Sequence, residues 1–395
     1  MDLKKQLTCI YTYDFFSRLR ITDAVWVALL AARGFSLWEI GLAESVYHIV
    51  SLLCEVPSGM AADLLGRRKT LAVGGVLAVL SSLLMAFAPD LFLICAAMGL
   101  NALSGTMFSG TDAALTYDSL KQSGLEARYL SVAANRSQIG MLASALGSLA
   151  STLRRFLQFS GFYLLSALFE GISTAVTLLL EEPVVTGAQA ARATRSVQEL
   201  PEQFAQLVRD SIAALRSCPL AAKLIAADAV ISIPCYLTKM FLQQRLIELG
   251  WRTEWLFLPL LLGGVACVAG TEIGRRVHPC SLRRFYTVCA LLCGSGTFLV
   301  GMAPAWCGIF GMMLAQGVLE VWLLHADQQF NAVISSDQRA TLISVDSMAY
   351  SVLMIPASPF VGVVGDACGQ AGAGLAVLGA LIIVSGAAVL AKRRS

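Results

Sequence analysis

Long apolar runs separated by short polar breaks organise this chain from end to end. Twelve such runs stand out, at 8–32, 39–62, 70–88, 91–117, 129–152, 160–181, 219–243, 254–273, 284–303, 305–332, 340–363 and 371–391. Each is close to the roughly 20 residues that an α-helix needs to cross a bilayer. The breaks are brief: Gly34-Phe35-Ser36, Ala88-Pro89-Asp90, Ala303-Pro304 and Gly365-Asp366. The longest polar segment, 182–217, divides the runs six and six. The pattern predicts an all-α membrane protein of twelve transmembrane helices. Its expected parts are an N-terminal six-helix bundle (1–181), a cytoplasmic central loop (182–217) and a C-terminal six-helix bundle (218–395).

Composition agrees with the pattern. The 395 residues are 57% hydrophobic and 14% charged, with a mean hydropathy of +0.70. A soluble chain of ordinary composition carries about 25% charged residues. Lys4 and Lys5 precede an apolar stretch too long and too polar for a signal-peptide core, so the first span is expected to direct its own insertion. The eleven Cys are scattered through apolar runs without metal-ligand spacing and read as small core residues.

Lys and Arg set the expected orientation. With the N-terminus inside, the inner side collects Lys4, Lys5, Arg67, Arg68, Lys69, Lys121, Arg128, the central-loop Arg192, Arg195, Arg209 and Arg216, then Arg275, Arg276, Arg283, Arg284, Arg339 and the tail Lys392-Arg393-Arg394. The outer side receives Arg33, Arg154, Arg155, Arg245 and Arg252. Both termini are therefore expected in the cytoplasm, with the protein in the inner membrane. The net charge of +3 comes from helix ends and points to no nucleic-acid partner. No nucleotide-binding loop, metal cluster or nucleophile–base arrangement is legible, which argues against an ATP-driven pump and against an enzyme.

The two halves echo each other, as expected of a transporter built from repeats. Ala62-Asp63-Leu64-Leu65-Gly66-Arg67-Arg68 returns, one residue shorter, as Thr271-Glu272-Ile273-Gly274-Arg275-Arg276. Ala127-Arg128-Tyr129-Leu130-Ser131-Val132 returns as Ala340-Thr341-Leu342-Ile343-Ser344-Val345. Each pair falls at equivalent helix ends.

The turn carrying Gly59, Asp63, Gly66, Arg67, Arg68 and Lys69 resembles the signature loop between helices 2 and 3 of the major facilitator superfamily. The segments Glu55-Val56-Pro57-Ser58-Gly59 and Ser109-Gly110-Thr111-Asp112 look like a drug-efflux-like bacterial branch. The resemblance implies a two-bundle fold and a conformational latch on the inner side. Asp63 would face the start of helix 11, and Arg67 would pair with Asp112 or Asp118. Glu272 and Arg275 would form the counterpart in the second half. Departures are visible as well. Leu64 replaces a basic residue, helix 4 has Asn101 and no core Arg, and helix 5 has Gly140 and Gly147 without a Gly-Pro pair. These take weight from antiport.

Charges inside a bilayer are expensive and ask for a function or a partner. On a continuous first span, Arg18, Arg20 and Asp23 would lie roughly 15–23 Å from the inner end, near mid-membrane. Asp14 and Arg18 would share one face, as would Arg20 and Asp23. Either these line a central cavity and attract an anionic group, or they neutralise each other. Glu44 and His48 lie one turn apart and could carry a proton, or His48 could simply bond across helices. Asp228, about 14 Å from the inner face of helix 7, is the leading carboxylate of the second half, with Arg136 and Lys239 as possible partners. Gln316 and Glu320 on helix 10 complete the candidates. Glu170, on an expected peripheral helix, reads as structural.

The combined expectation is a monomeric secondary transporter of small molecules by alternating access, driven by a proton gradient and without a cofactor. Its site would lie between the halves near mid-membrane. Proton-coupled efflux of amphipathic compounds leads. A dedicated carrier of a specific, perhaps anionic, metabolite stands as the alternative, and a non-transporting sensor or scaffold is remote.

Overall fold

The computed structural model describes residues 2–183, 206, 209, 216, 219–277, 281–333 and 336–391. Most of the expected central loop and the basic tail lie outside them. Every regular element among the described residues is helical. The helices are α1 (Leu3–Ser17), α2 (Trp26–Ala32), α3 (Leu37–Leu65), α4 (Arg67–Phe87), α5 (Leu91–Phe108), α6 (Thr111–Gln122), α7 (Tyr129–Ser148), α8 (Phe159–Thr177), α9 (Pro219–Glu248), α10 (Phe257–Arg276), α11 (Leu282–Met302), α12 (Ala305–Val333), α13 (Ser336–Cys368) and α14 (Ala371–Ala391). Among the described residues, ten helical stretches are long and apolar enough to cross a membrane. The two expected spans that fall short are the first and the fifth. The first is broken into two short helices, α1 and α2, and the fifth, which carries Asn135, Arg136 and Gln138, is less apolar than the others.

The first span corrects the sequence reading. It is not one helix: α1 ends at Ser17, residues 18–25 are irregular, and α2 resumes at Trp26. Arg18 closes α1 at φ −100° and ψ 2°. Unwinding frees backbone polar groups, which a lipid environment does not satisfy. Protein groups take some of them up. Ser144 Oγ donates to the Arg18 carbonyl at 3.3 Å, and the Val27 amide donates to Gln243 Oε1 at 3.1 Å.

Helix starts are secured by carboxylates, which neutralise the partial positive charge of exposed N–H groups. In Ser36-Leu37-Trp38-Glu39, the Ser36 amide donates to Glu39 at 2.8 Å and the Glu39 amide to Ser36 Oγ at 3.2 Å. This reciprocal pair is a capping box. The next two amides, of Leu37 and Trp38, donate to Asp366 at 3.0 and 2.8 Å. Glu182 likewise accepts from the Arg67 and Arg68 amides at 2.9 and 2.7 Å, and Glu248 from Ala371.

The chain forms two compact units. The first holds Met1–Asp23 and Val46–Gln206, and the second Ala24–Ser45 and Leu207–Ser395. In the first, α4 packs on α5 and α8, and α1 on α7 and α8. A cluster of Ile10, Tyr13, Leu71, Leu115 and Leu180 is buried there. In the second, α11 packs on α12 and α14, and α9 on α11 to α14. Its core centres on fully buried Trp322, with Phe285 stacked on it at 5.9 Å.

The turn between α3 and α4 is tighter than the seven residues expected for 63–69. Gly66 alone separates the helices, at φ 94° and ψ 151°. That region of backbone space is nearly exclusive to Gly. Gly66→Ala is therefore expected to cost about 1–3 kcal/mol, read as a lower unfolding midpoint of the detergent-solubilised protein. An unchanged midpoint would contradict the backbone geometry.

Candidate functional site

In the first unit, one face of α7 presents Arg136, Gly140, Ser144 and Gly147 at helical spacing. Each meets the first span. Arg136 donates from Nε and Nη2 to the two oxygens of Asp14 at 2.6 and 2.8 Å. The same Nη2 reaches Asp112 at 2.7 Å, and Nη1 reaches Thr116 at 3.1 Å. A Cβ at Gly140 would sit 2.6 Å from the Arg18 side chain, and one at Gly147 would sit 2.9 Å from the Arg20 nitrogen. The small residues let the irregular backbone lie directly on α7.

Burial divides the two arginines. Asp14 is fully buried and the Arg136 side chain is 7% exposed, whereas that of Arg18 is 45% exposed. Arg18 stands 3.8 Å from Asp14 and 3.7 Å from Asp112. Two carboxylates thus share two guanidiniums. Arg136 is held bidentately and spends most of its donors inside the protein, so it is a fixed charge. Arg18 keeps donors to offer. Arg20 and Asp23 pair loosely at 3.9 Å on the irregular segment.

In the second unit, Asp228, Ser232, Tyr236, Lys239 and Gln243 form a polar stripe along α9. Asp228 accepts from Trp322 Nε1 at 2.9 Å and from Ser232 Oγ at 3.1 Å. Among the described residues of this unit it has no ion pair, so Lys239 is not its salt-bridge partner. Asp327 and Asp346 lie close enough to influence it and each other. Tyr236 donates to Glu44 at 2.7 Å. Gln316 donates to the Cys235 carbonyl at 3.0 Å, beside Pro234 in α9. Glu320 and Lys239 both lie near Cys267.

Other expected residues fall elsewhere. His48 is buried, edge-on to Tyr47. Asn101 is exposed on α5 and has no hydrogen bond among the described residues. Arg67 pairs with Asp118 and with the Ala114 carbonyl, while Asp112 turns to Arg136 instead. Arg68 donates to the Leu178 carbonyl at 2.6 Å. Gly59 lies within α3, and the Asp63 side chain falls outside the described residues. Glu272 pairs with Arg275 at 3.5 Å and Arg276 at 2.5 Å on an exposed surface. The sequence reading left Thr116, Ser232 and Trp322 out of the candidate set, and named Asp14 only as a neighbour of Arg18, not as the partner of Arg136. A signal for Asp14 existed, since a base buried in the fifth span requires an acid from another span.

The family model described as Major Facilitator Superfamily matches residues 16–335. The chain belongs to the major facilitator superfamily. It is a multi-pass membrane transporter of that type, not an enzyme. An uncharacterized MFS-type transporter of Bacillus subtilis (strain 168), YxaM, is 31% identical over 101 residues, which are 24% of this chain and 25% of that protein. Among solved structures, the nucleoside transporter NupG is similar with a TM-score of 0.78 at 14% identity, covering 100% of both chains. A POT family transporter in complex with 5-aminolevulinic acid is similar at 0.69 and 15% identity, over 98% of this chain and 95% of that one. At such identities the likeness is one of fold.

Removing one member of a buried ion pair strands the other, at a cost of about 3–5 kcal/mol. Arg136→Met is expected to destabilise the protein by that amount, measured as an unfolding midpoint in detergent. Adding Asp14→Leu should recover part of the loss. Additive losses in the double variant would contradict the pairing.

Proposed function

We propose that this transporter is a proton-linked carrier of a specific small polar solute bearing an acidic group. The observation that carries this reading is the half-exposed guanidinium of Arg18 beside the fully engaged Arg136. A lipid-facing Arg at that depth would be costly, so its open donors suit a polar ligand. Guanidinium groups favour carboxylate and phosphate oxygens, which they bind in pairs. NupG is named for nucleosides and the POT family transporter for a complex with 5-aminolevulinic acid; both are small polar solutes, and the second carries the carboxyl group this reading requires.

Asp228 is the proposed proton carrier. Its carboxylate is held by the neutral donors Trp322 and Ser232 rather than by a cation. A neutral shell of this kind tolerates both the charged and the protonated form, whereas Asp14 is tied to Arg136. Alternating access is the proposed mode of transport, and membership of the family supports it. Efflux of amphipathic compounds makes a different prediction, a response to several unrelated lipophilic molecules.

The test is solute-driven proton movement in proteoliposomes holding a pH-sensitive dye, with small organic anions and lipophilic cations supplied in turn. The expected response is confined to one chemical class of polar anion. Arg18→Ala should weaken its apparent affinity about tenfold or more, the effect of losing a charge-assisted hydrogen bond. Asp228→Asn should abolish proton movement while preserving solute exchange. A response to unrelated lipophilic compounds, indifferent to Arg18→Ala, would replace this reading with multidrug efflux.

A further inference from the structure

The second unit carries a feature that solute transport does not use. A groove of about 730 Å³ lies between α10, α11 and α12. Its walls are apolar, built from side chains such as Val265, Ile273, Val288, Leu292 and Phe310, and these five are exposed. On α12 it extends from Phe310 to Val321, about 16 Å at 1.5 Å per residue. One leaflet of a ~30 Å hydrocarbon core is about 15 Å deep. The groove therefore has the reach of a single acyl chain.

Its polar lining is confined to one end, where Ser281 and Arg284 open the first turn of α11. Among the described residues, no acid lines the groove and Arg284 has neither an ion pair nor a hydrogen bond. The neighbouring cations are committed: Arg275 and Arg276 to Glu272, and Arg283 to the Val389 carbonyl. By the distribution of Lys and Arg this end faces the cytoplasm, where the leaflet carries anionic lipid. A long apolar trough ending in one uncommitted guanidinium complements a molecule with a hydrocarbon tail and a single anionic head.

We infer that this groove binds an anionic phospholipid of the inner leaflet, with an acyl chain against α10 and α12 and the phosphate at Arg284 and Ser281. The site is distinct from the polar stripe of α9 and does not depend on which solute is carried. A neutral or zwitterionic lipid fills the same trough and gains less at Arg284.

Native mass spectrometry of the purified, delipidated transporter tests this, with phosphatidylglycerol and phosphatidylethanolamine supplied in equal amounts. The wild type is expected to retain phosphatidylglycerol by about fivefold over phosphatidylethanolamine, equivalent to the ~1 kcal/mol of one Arg near an anionic surface. Arg284→Ala should bring the two to parity, and Arg284→Lys should keep the preference, which separates charge from folding. Val288→Trp, filling the trough, should reduce retention of both lipids. Equal retention by the wild type, or a preference unchanged in Arg284→Ala, would overturn the inference. So would a dimer that Val288→Trp dissociates without altering lipid retention, since a second copy would then occupy the groove.

Discussion

A buried guanidinium shared between two carboxylates is the constraint on which the first unit turns. Arg136 cannot lose its charge, and neither lipid nor a dry core tolerates it alone. Asp14 answers from α1 and Asp112 from the start of α6, so three elements are pinned to one point. The two expected spans joined by Arg136 and Asp14 are also the two that do not form a long apolar crossing helix among the described residues: the first is broken after Ser17, and α7 carries Asn135, Arg136 and Gln138 in mid-helix.

The break in the first span follows from the same constraint. With Asp14 fixed on α7, the next turn carries Arg18 and Arg20, which need acidic neighbours of their own. Irregular backbone lets Arg18 approach Asp112 and lets Arg20 lie on Gly147. Discontinuous membrane helices are tolerated only where protein or a cavity satisfies their backbone, and in transporters they mark binding sites. The half-exposed Arg18 and the irregular segment therefore belong to one functional argument. The second unit answers with a different chemistry, an acid on α9 held by an indole and a hydroxyl.

Much of this was legible beforehand, and the failures have physical causes. Apolar runs gave the helical class, because crossing a bilayer imposes a length and a composition that no folding detail can hide, and the charged turn from Gly59 to Lys69 carried the family resemblance. Spacing gave the Asp14–Arg18 pair but not the unwinding after Ser17, since a tertiary demand from α7 overrode local helical continuity. The loop at Asp63 was read as a turn of several residues, whereas a single Gly in extended left-handed backbone suffices. The resemblance offered Asp112 or Asp118 as the partner of Arg67; Asp118 takes that place, and Asp112 bonds Arg136 on α7, 24 residues away, where local sequence gives no direction. Trp322 was invisible as a polar residue. An indole in an apolar run reads as core, and only its neighbour reveals the donor.

The central claim is that the first span is unwound around its charged residues, and amide hydrogen exchange of the transporter in a bilayer mimic tests it most directly. The account predicts that the amides of 19–24 exchange well before those of 5–16 and of α7, because irregular backbone lacks the protection of a helical ladder. Protection of 19–24 equal to that of α1 would mean a continuous helix, and the argument from Arg18 to a solute site would fail with it.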